Sequence, residues 1–186
     1  MGVSLKKLAK KVAGYGHVLV VMRHAKAESF DASGDDRSRK LTDKGLKQAK
    51  TVGRGLTELD LVPDRIAVSG AVRAQQTLER MLKSFGDKPK VDTRQSLYDG
   101  GVQAVLDELA HTHDKARTLM ILGHEPTMSI SCQWIASSGS DPAALDLLTL
   151  GMSTASVAIF GSNKPFDQWQ VHSGDLLAVL NVKDFD

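Results

Sequence analysis

Short runs that are apolar on both faces restrict the fold of this chain more than any other feature of its sequence. "HVLVVM" (17–22) and "TLMILG" (118–123) have no polar residue in their interiors. A strand with one face in water alternates polar and apolar residues, so strands of this kind must be covered on both faces. "RIAVS" (65–69), "ASVAIF" (155–160) and "LLAVLN" (176–181) are further strand candidates, and "KVD" around Val91 is a shorter one. Helical patterns lie between them. Thr42 suits the N-cap of a helix running through Leu59, with Leu46, Ala49, Val52, Gly53 and Leu56 on one face. Ala71 to Phe85 reads as a second helix, stopped by Gly86 and Pro89. Val102 to His113 and Thr127 to Ser137 make a third and a fourth, and Pro142 opens a short helix after the loop "SSGSDP" (137–142). The alternation predicts a single α/β sandwich.

Composition agrees and excludes several functions. A length of 186 residues is enough to bury a core without disulfides or metals. A formal charge of +2 gives no bulk attraction to nucleic acid or to a membrane surface. No apolar run approaches the ~20 residues of a spanning helix. Cys132 is the single cysteine and sits in an apolar helical stretch, so it reads as core, and a cytoplasmic location is expected. The N-terminal "MGVSLKKLAKKVAGYG" is basic, with Leu5, Leu8 and Val12 on one helical face, and lacks the apolar stretch of a signal peptide. The expected organisation is a basic arm over residues 1–16 and one domain over 17–186.

In α/β sheets, functional groups collect at the carboxyl ends of the strands. Four features fall there. Arg23 and His24 follow the first strand, "SGAVRAQQT" (69–77) the second and "GHEP" (123–126) the third, while the loop after the first strand carries "DDRSRKLTDKG" (35–45). Together they bring Arg23, Arg39 and Arg73 to one sheet edge with His24 and His124, and no matching carboxylates are expected around them. Guanidinium groups converging in this way repel one another unless a dianion lies between them, and a phosphoryl group fits their planar forks. Histidine attacks phosphorus through one ring nitrogen if a hydrogen bond at the other fixes the tautomer. Lys26 and Glu28 read as rim residues. His111 and His113 in "HTHD" close a polar helix end without further ligands at a metal-binding spacing, so no metal site is expected.

On these motifs the chain resembles the histidine phosphatase superfamily, and within it the small SixA-like phosphohistidine phosphatases. The resemblance runs from Val18 to Val182. It is carried by Arg23-His24, by Arg39-Lys40-Leu41-Thr42 with Gly45, by Ser69 with Arg73-Ala74 and Gln76-Thr77, and by Gly123-His124 with Pro126. It implies a three-layer α/β/α sandwich with a mostly parallel central sheet, the phosphoglycerate-mutase-like fold. It also implies a phosphatase that needs no cofactor, with His24 as the nucleophile. Arg23, Arg39 and Arg73 become the phosphate clamp, and His124 the imidazole that steadies the equatorial oxygens. Gln76 and Thr77 support the helix below Arg73. The third residue of the commonest motif is glycine, whereas Ala25 and Lys26 give the "RHAK" form frequent in the SixA-like branch. Lys40 and Gly70 stand where prolines are usual, and neither replaces a functional side chain.

The general acid is the least defined part of the pattern. Related enzymes carry an acidic residue where this chain has "SLYDG", which makes Asp99 the candidate. Only 21 residues separate Thr77 from Asp99, leaving no room for the insertions that enclose small substrates in larger relatives. An open site able to admit phosphohistidine on a partner protein is therefore expected. The alternatives are a small-molecule phosphatase or mutase (sugar phosphate, nucleotide or phosphoglycerate) with the same site, and a phosphoprotein-binding module without turnover. Retention of both histidines argues against the module.

Overall fold

The computed structural model describes residues 3–30, 34–112 and 115–186. Its strands are β1 (His17–Arg23), β2 (Arg65–Ser69), β3 (Lys90–Arg94), β4 (Thr118–Gly123), β5 (Val157–Ser162) and β6 (Asp175–Leu180). They form one sheet in the order β3-β2-β4-β1-β5-β6. The first four are mutually parallel, whereas β5 runs antiparallel to both β1 and β6. The helices are α1 (Leu5–Ala13), α2 (Asp43–Glu58), α3 (Val72–Phe85), α4 (Ser96–Asp99), α5 (Gly101–His111), α6 (Thr127–Ile135) and α7 (Pro142–Thr149).

The doubly apolar strands are explained by two cores. Val18, Val20 and Met22 of β1 and Met120 and Leu122 of β4 face one core, with side chains of α1, α2 and α3. Leu19, Val21, Leu119 and Ile121 face the other, with α5, α6 and α7. The result is an α/β/α sandwich with a mostly parallel sheet. β3 is an edge strand, mostly exposed, which is why its sequence carries so weak a strand signal.

Several boundaries differ from the sequence expectation, each for a local reason. β5 starts at Val157 because Ala155 takes a left-handed backbone, φ 62°, and breaks the run before it. α6 stops at Ile135, where Ala136 turns extended and bridges to Gly174. β6 ends at Leu180 because Asn181 caps a closing 3₁₀ turn, accepting at its side chain while its backbone N–H is taken by Asp184. α5 ends at His111, and His113 lies outside the described residues. The N-terminal segment is a helix capped by Ser4, with Leu8 and Val12 buried in the first core.

α2 begins as its sequence predicts, with the Thr42 hydroxyl accepting from Gly45 N at 3.0 Å. Gly45 is required there. A Cβ at this position would lie 2.1 Å from the Lys26 carbonyl oxygen, which also accepts from Thr42 N at 2.9 Å. The start of α2 therefore packs directly against the chain that leaves β1 through Arg23 and His24.

Candidate active site

His24 continues the β1 ladder past its end. Its N–H donates to the Gly123 carbonyl at 3.0 Å, and its own carbonyl accepts from Ala155 N at 3.0 Å. The imidazole is buried, with Nδ1 2.7 Å from the Ala25 carbonyl oxygen. A carbonyl can only accept, so Nδ1 bears the proton and Nε2 keeps its lone pair. That lone pair faces Arg73, whose Nε donates to it at 3.3 Å.

Arg73 is buried in the first turn of α3. Thr77, one turn on, accepts from Ala25 N at 3.1 Å and donates to the Arg73 carbonyl at 2.7 Å, tying the helix to the His24 segment. Gln76 accepts from Leu41 N at 2.8 Å and holds the chain that carries Arg39. His124 follows β4, its ring centroid 5.2 Å from that of His24, with Nε2 2.7 Å from the Ser69 hydroxyl. Arg23 donates from Nη1 to the Met152 carbonyl at 2.9 Å. All five expected residues line one cavity of about 210 Å³, together with Lys26, Ala27, Glu125 and Thr154. A larger groove of about 370 Å³ lies between α1, α7 and β6 but has none of these histidines or arginines on its walls.

Carboxylates were not expected here, and the structure corrects that. Asp36 pairs with Arg39 at 2.8 Å and with Arg73 at 3.1 Å. Glu125 lines the cavity and raises the proton affinity of Arg23 against the lowering effect of burial. Its carboxylate accepts from Ser129 N and Oγ, both at 2.8 Å, and from Met152 N at 3.0 Å, so it fastens the loop after β4 to the loop before β5. Tyr98 is a further residue not anticipated from sequence. It donates to Asp36 Oδ2 at 2.6 Å and sets its ring edge-on to His124 at 5.5 Å. Asp99, its neighbour, is exposed, accepts from Gln95 at 3.1 Å and is not among the cavity-lining residues. Ser69 and Glu125 lie inside the motifs that located the site, and Asp36 stands three residues before Arg39.

Electrostatics follow from this packing. Burial, then the neighbouring His124 and the arginines, push His24 down to about 3, against the bond to the Ala25 carbonyl. Burial and Arg73 push His124 down to about 4. The Tyr98 hydroxyl and the two arginines hold Asp36 at about 2, so it is a carboxylate throughout the neutral range. Both imidazoles are consequently neutral near pH 7, and the Nε2 lone pair of His24 exists without prior loss of a proton. In ring-nitrogen NMR of the free protein, His24 should show the Nδ1–H tautomer and stay neutral from about pH 8 down to about pH 5. A titration midpoint near the ordinary 6.5 would refute this.

Comparison with known proteins agrees with the geometry. Residues 19–99 match the family model of the histidine phosphatase superfamily (branch 1), which spans Arg23, His24, Arg39 and Arg73 and stops before His124. The uncharacterized protein MT1313 of Mycobacterium tuberculosis (strain CDC 1551 / Oshkosh) is 31% identical over 139 residues, 74% of this chain and 85% of that one. A solved structure provisionally named phosphohistidine phosphatase SixA, from Nakamurella multipartitia, superposes with a TM-score of 0.75 at 28% identity. It covers 89% of this chain and 95% of its own. The protein histidine phosphatase SixA complexed with tungstate shares the fold, with a TM-score of 0.73 at 19% identity over 91% of this chain and 99% of its own.

Proposed function

Because this chain belongs to the histidine phosphatase superfamily and is a phosphatase, we propose that it hydrolyses phosphohistidine on a partner protein through a covalent intermediate on His24. One observation carries the reading. The Nδ1–H of His24 is committed to the Ala25 carbonyl, so the only lone pair of the ring, on Nε2, faces the arginine clamp.

In the first step His24 Nε2 attacks phosphorus in line, forming the new P–N bond as the bond to the substrate imidazole breaks. Arg23, Arg39, Arg73 and His124 stabilise the charge on the equatorial oxygens. The departing imidazole takes its proton from solvent or leaves already protonated. Water then attacks the phosphorus on His24, the second P–N bond breaks, and inorganic phosphate leaves. Two buried polar atoms of the site, Arg23 Nε and His124 Nδ1, have no hydrogen-bond partner among the described residues, and phosphoryl oxygens offer acceptor chemistry that the clamp residues can use. The clamp supplies the positive charge, so neither step invokes a cofactor.

Substrate class is argued from size. Small-ligand pockets usually enclose ~300–1,000 Å³. The cavity here, about 210 Å³, suits a phosphoryl group better than an enclosed sugar phosphate or phosphoglycerate. Residues 78–98 are taken up by the rest of α3, by β3 and by most of α4, and build no separate cover. A phosphohistidine projecting from a protein surface meets these limits. Among the described residues no helix is long and apolar enough to cross a membrane, which is compatible with a cytoplasmic phosphoprotein as substrate.

The test is kcat/KM on a histidine-phosphorylated protein, on 3-phosphoglycerate and on sugar phosphates, for the wild type and Asp99→Asn. Phosphohistidine should be preferred, and Asp99→Asn should cost it little, because an imidazole needs less help from an acid than an alkoxide does. A metabolite preferred by about tenfold or more, with collapse in Asp99→Asn, would assign the protein to small-molecule substrates.

A further inference from the structure

We propose that Asp36 is an internal competitor for the phosphate clamp, a specificity-determining carboxylate that holds the oxyanion position and yields it only to a more highly charged group. The inference rests on the reading of the clamp as a phosphoryl site.

The coordination of Asp36 is that of a bound oxyanion. Oδ1 accepts from Arg39 Nε at 3.1 Å and Nη2 at 2.8 Å. Oδ2 accepts from Arg73 Nη2 at 3.1 Å and from the Tyr98 hydroxyl at 2.6 Å. The Asp36 backbone carbonyl takes Arg73 Nη1 at 2.7 Å. Arg39 spends its remaining nitrogen on the Glu28 carbonyl at 2.9 Å, and Arg73 spends its own on His24 Nε2. Every nitrogen of both guanidinium groups is therefore engaged, with only the second hydrogens of the terminal nitrogens uncommitted. The Nε–Nη2 edge of Arg39 can grip a phosphoryl group by two parallel N–H bonds only after the Asp36 carboxylate lets go.

The same contacts cover the nucleophile. In-line attack needs the Nε2 lone pair, and that lone pair now accepts from Arg73. Asp36 holds the other two nitrogens of Arg73, Nη2 through its carboxylate and Nη1 through its backbone carbonyl, so release of the carboxylate loosens the guanidinium that covers His24 Nε2. The exchange has a sign. Replacing a carboxylate by a phosphoryl dianion adds a negative charge to a site of three arginines, whereas replacing it by another carboxylate adds none. Aspartates and glutamates on a partner surface gain nothing by entering, and phosphorylated residues do. Asp36 stays charged through the neutral range, so the competition operates there. The loop that carries it is tied down at the neighbouring Arg37. Val72 N donates to the Arg37 carbonyl at 3.0 Å, and the Arg37 side chain bonds Gln95 and lies over the Tyr98 ring, so the exchange involves the carboxylate alone.

The experiment is calorimetric titration of the intact protein with tungstate. Asp36→Asn and Asp36→Ala should each bind tungstate about tenfold or more tightly than wild type, as expected when charge-assisted contacts no longer have to be broken. Asp36→Glu, which keeps the competing charge, should stay near wild type. Both charge-removing variants should also become sensitive to inhibition by acetate. Unchanged or weaker tungstate binding in Asp36→Asn and Asp36→Ala, with wild type binding normally, overturns the competitor role and leaves the phosphatase reading standing. Failure of the wild type to bind tungstate at all overturns both.

Discussion

His24→Ala lowers turnover by at least about 10³-fold and leaves tungstate binding within about an order of magnitude of wild type. The asymmetry follows from the division of labour in the site. Positive charge comes from Arg23, Arg39 and Arg73, which the substitution leaves intact, whereas the lone pair that meets Arg73 belongs to His24 Nε2. A quench of the wild type during turnover of labelled substrate should leave a phospho-adduct on His24 that survives base and is lost in acid. His24→Gln fills the buried space and should be equally inactive, which separates loss of the nucleophile from loss of packing. Substantial activity in either variant would remove His24 from the mechanism.

Arg73→Ala should reduce kcat/KM by about 10²–10³-fold, the range for losing one preorganised donor to a developing oxyanion. Tungstate binding should weaken by about 1.5–3 kcal/mol, the size of a charge-assisted hydrogen bond. Arg73 combines three contacts that no other of the described residues does. It touches the nucleophile, it holds Asp36 through the side chain and the backbone, and its guanidinium carbon lies 5.9 Å from the Tyr98 ring centroid. Lysine restores the charge without the planar fork, so Arg73→Lys should remain impaired by about tenfold or more. Wild-type kcat/KM in Arg73→Lys would mean that charge alone suffices.

The parts of this fold that could be read from sequence are those whose surroundings are uniform. β1 and β4 are covered on both faces, so every residue in them answers to the same constraint and the run stands out. β3, at the edge and mostly in water, is under no such pressure, and "KVD" barely registers. Boundaries slipped where one residue overrode the pattern, as Ala155 does before β5. The site divides in the same way. Arg23, His24, Arg73 and His124 were visible because charged or imidazole side chains at the ends of buried strands, or one turn into the helix that follows, are out of place in a simple core. Asp36 was not, because an acid in an exposed charged loop reads as a solvated partner of Arg39. It is indeed that partner, and it is Arg73's as well. Tyr98 and Asp99 are adjacent on α4, where successive side chains point about 100° apart. Reading the segment for acids selects Asp99, which points to Gln95 and solvent, while the helix turns its neighbour to the site.

The reversal of one strand has its own consequence. β1, β2 and β4 deliver their carboxyl ends to the site, and antiparallel β5 delivers its beginning to the same rim. The segment before β5 holds Arg23 through the Met152 carbonyl, buttresses His24 through Ala155 N and places Thr154 in the cavity wall. The Thr154 side chain accepts from Gln48 Nε2 at 3.3 Å, and Gln48 Oε1 accepts in turn from Lys26 N at 2.9 Å. A change of side chain at position 154 therefore reaches the segment just past His24 through Gln48, so the cavity wall and the reaction centre are coupled by one side-chain relay.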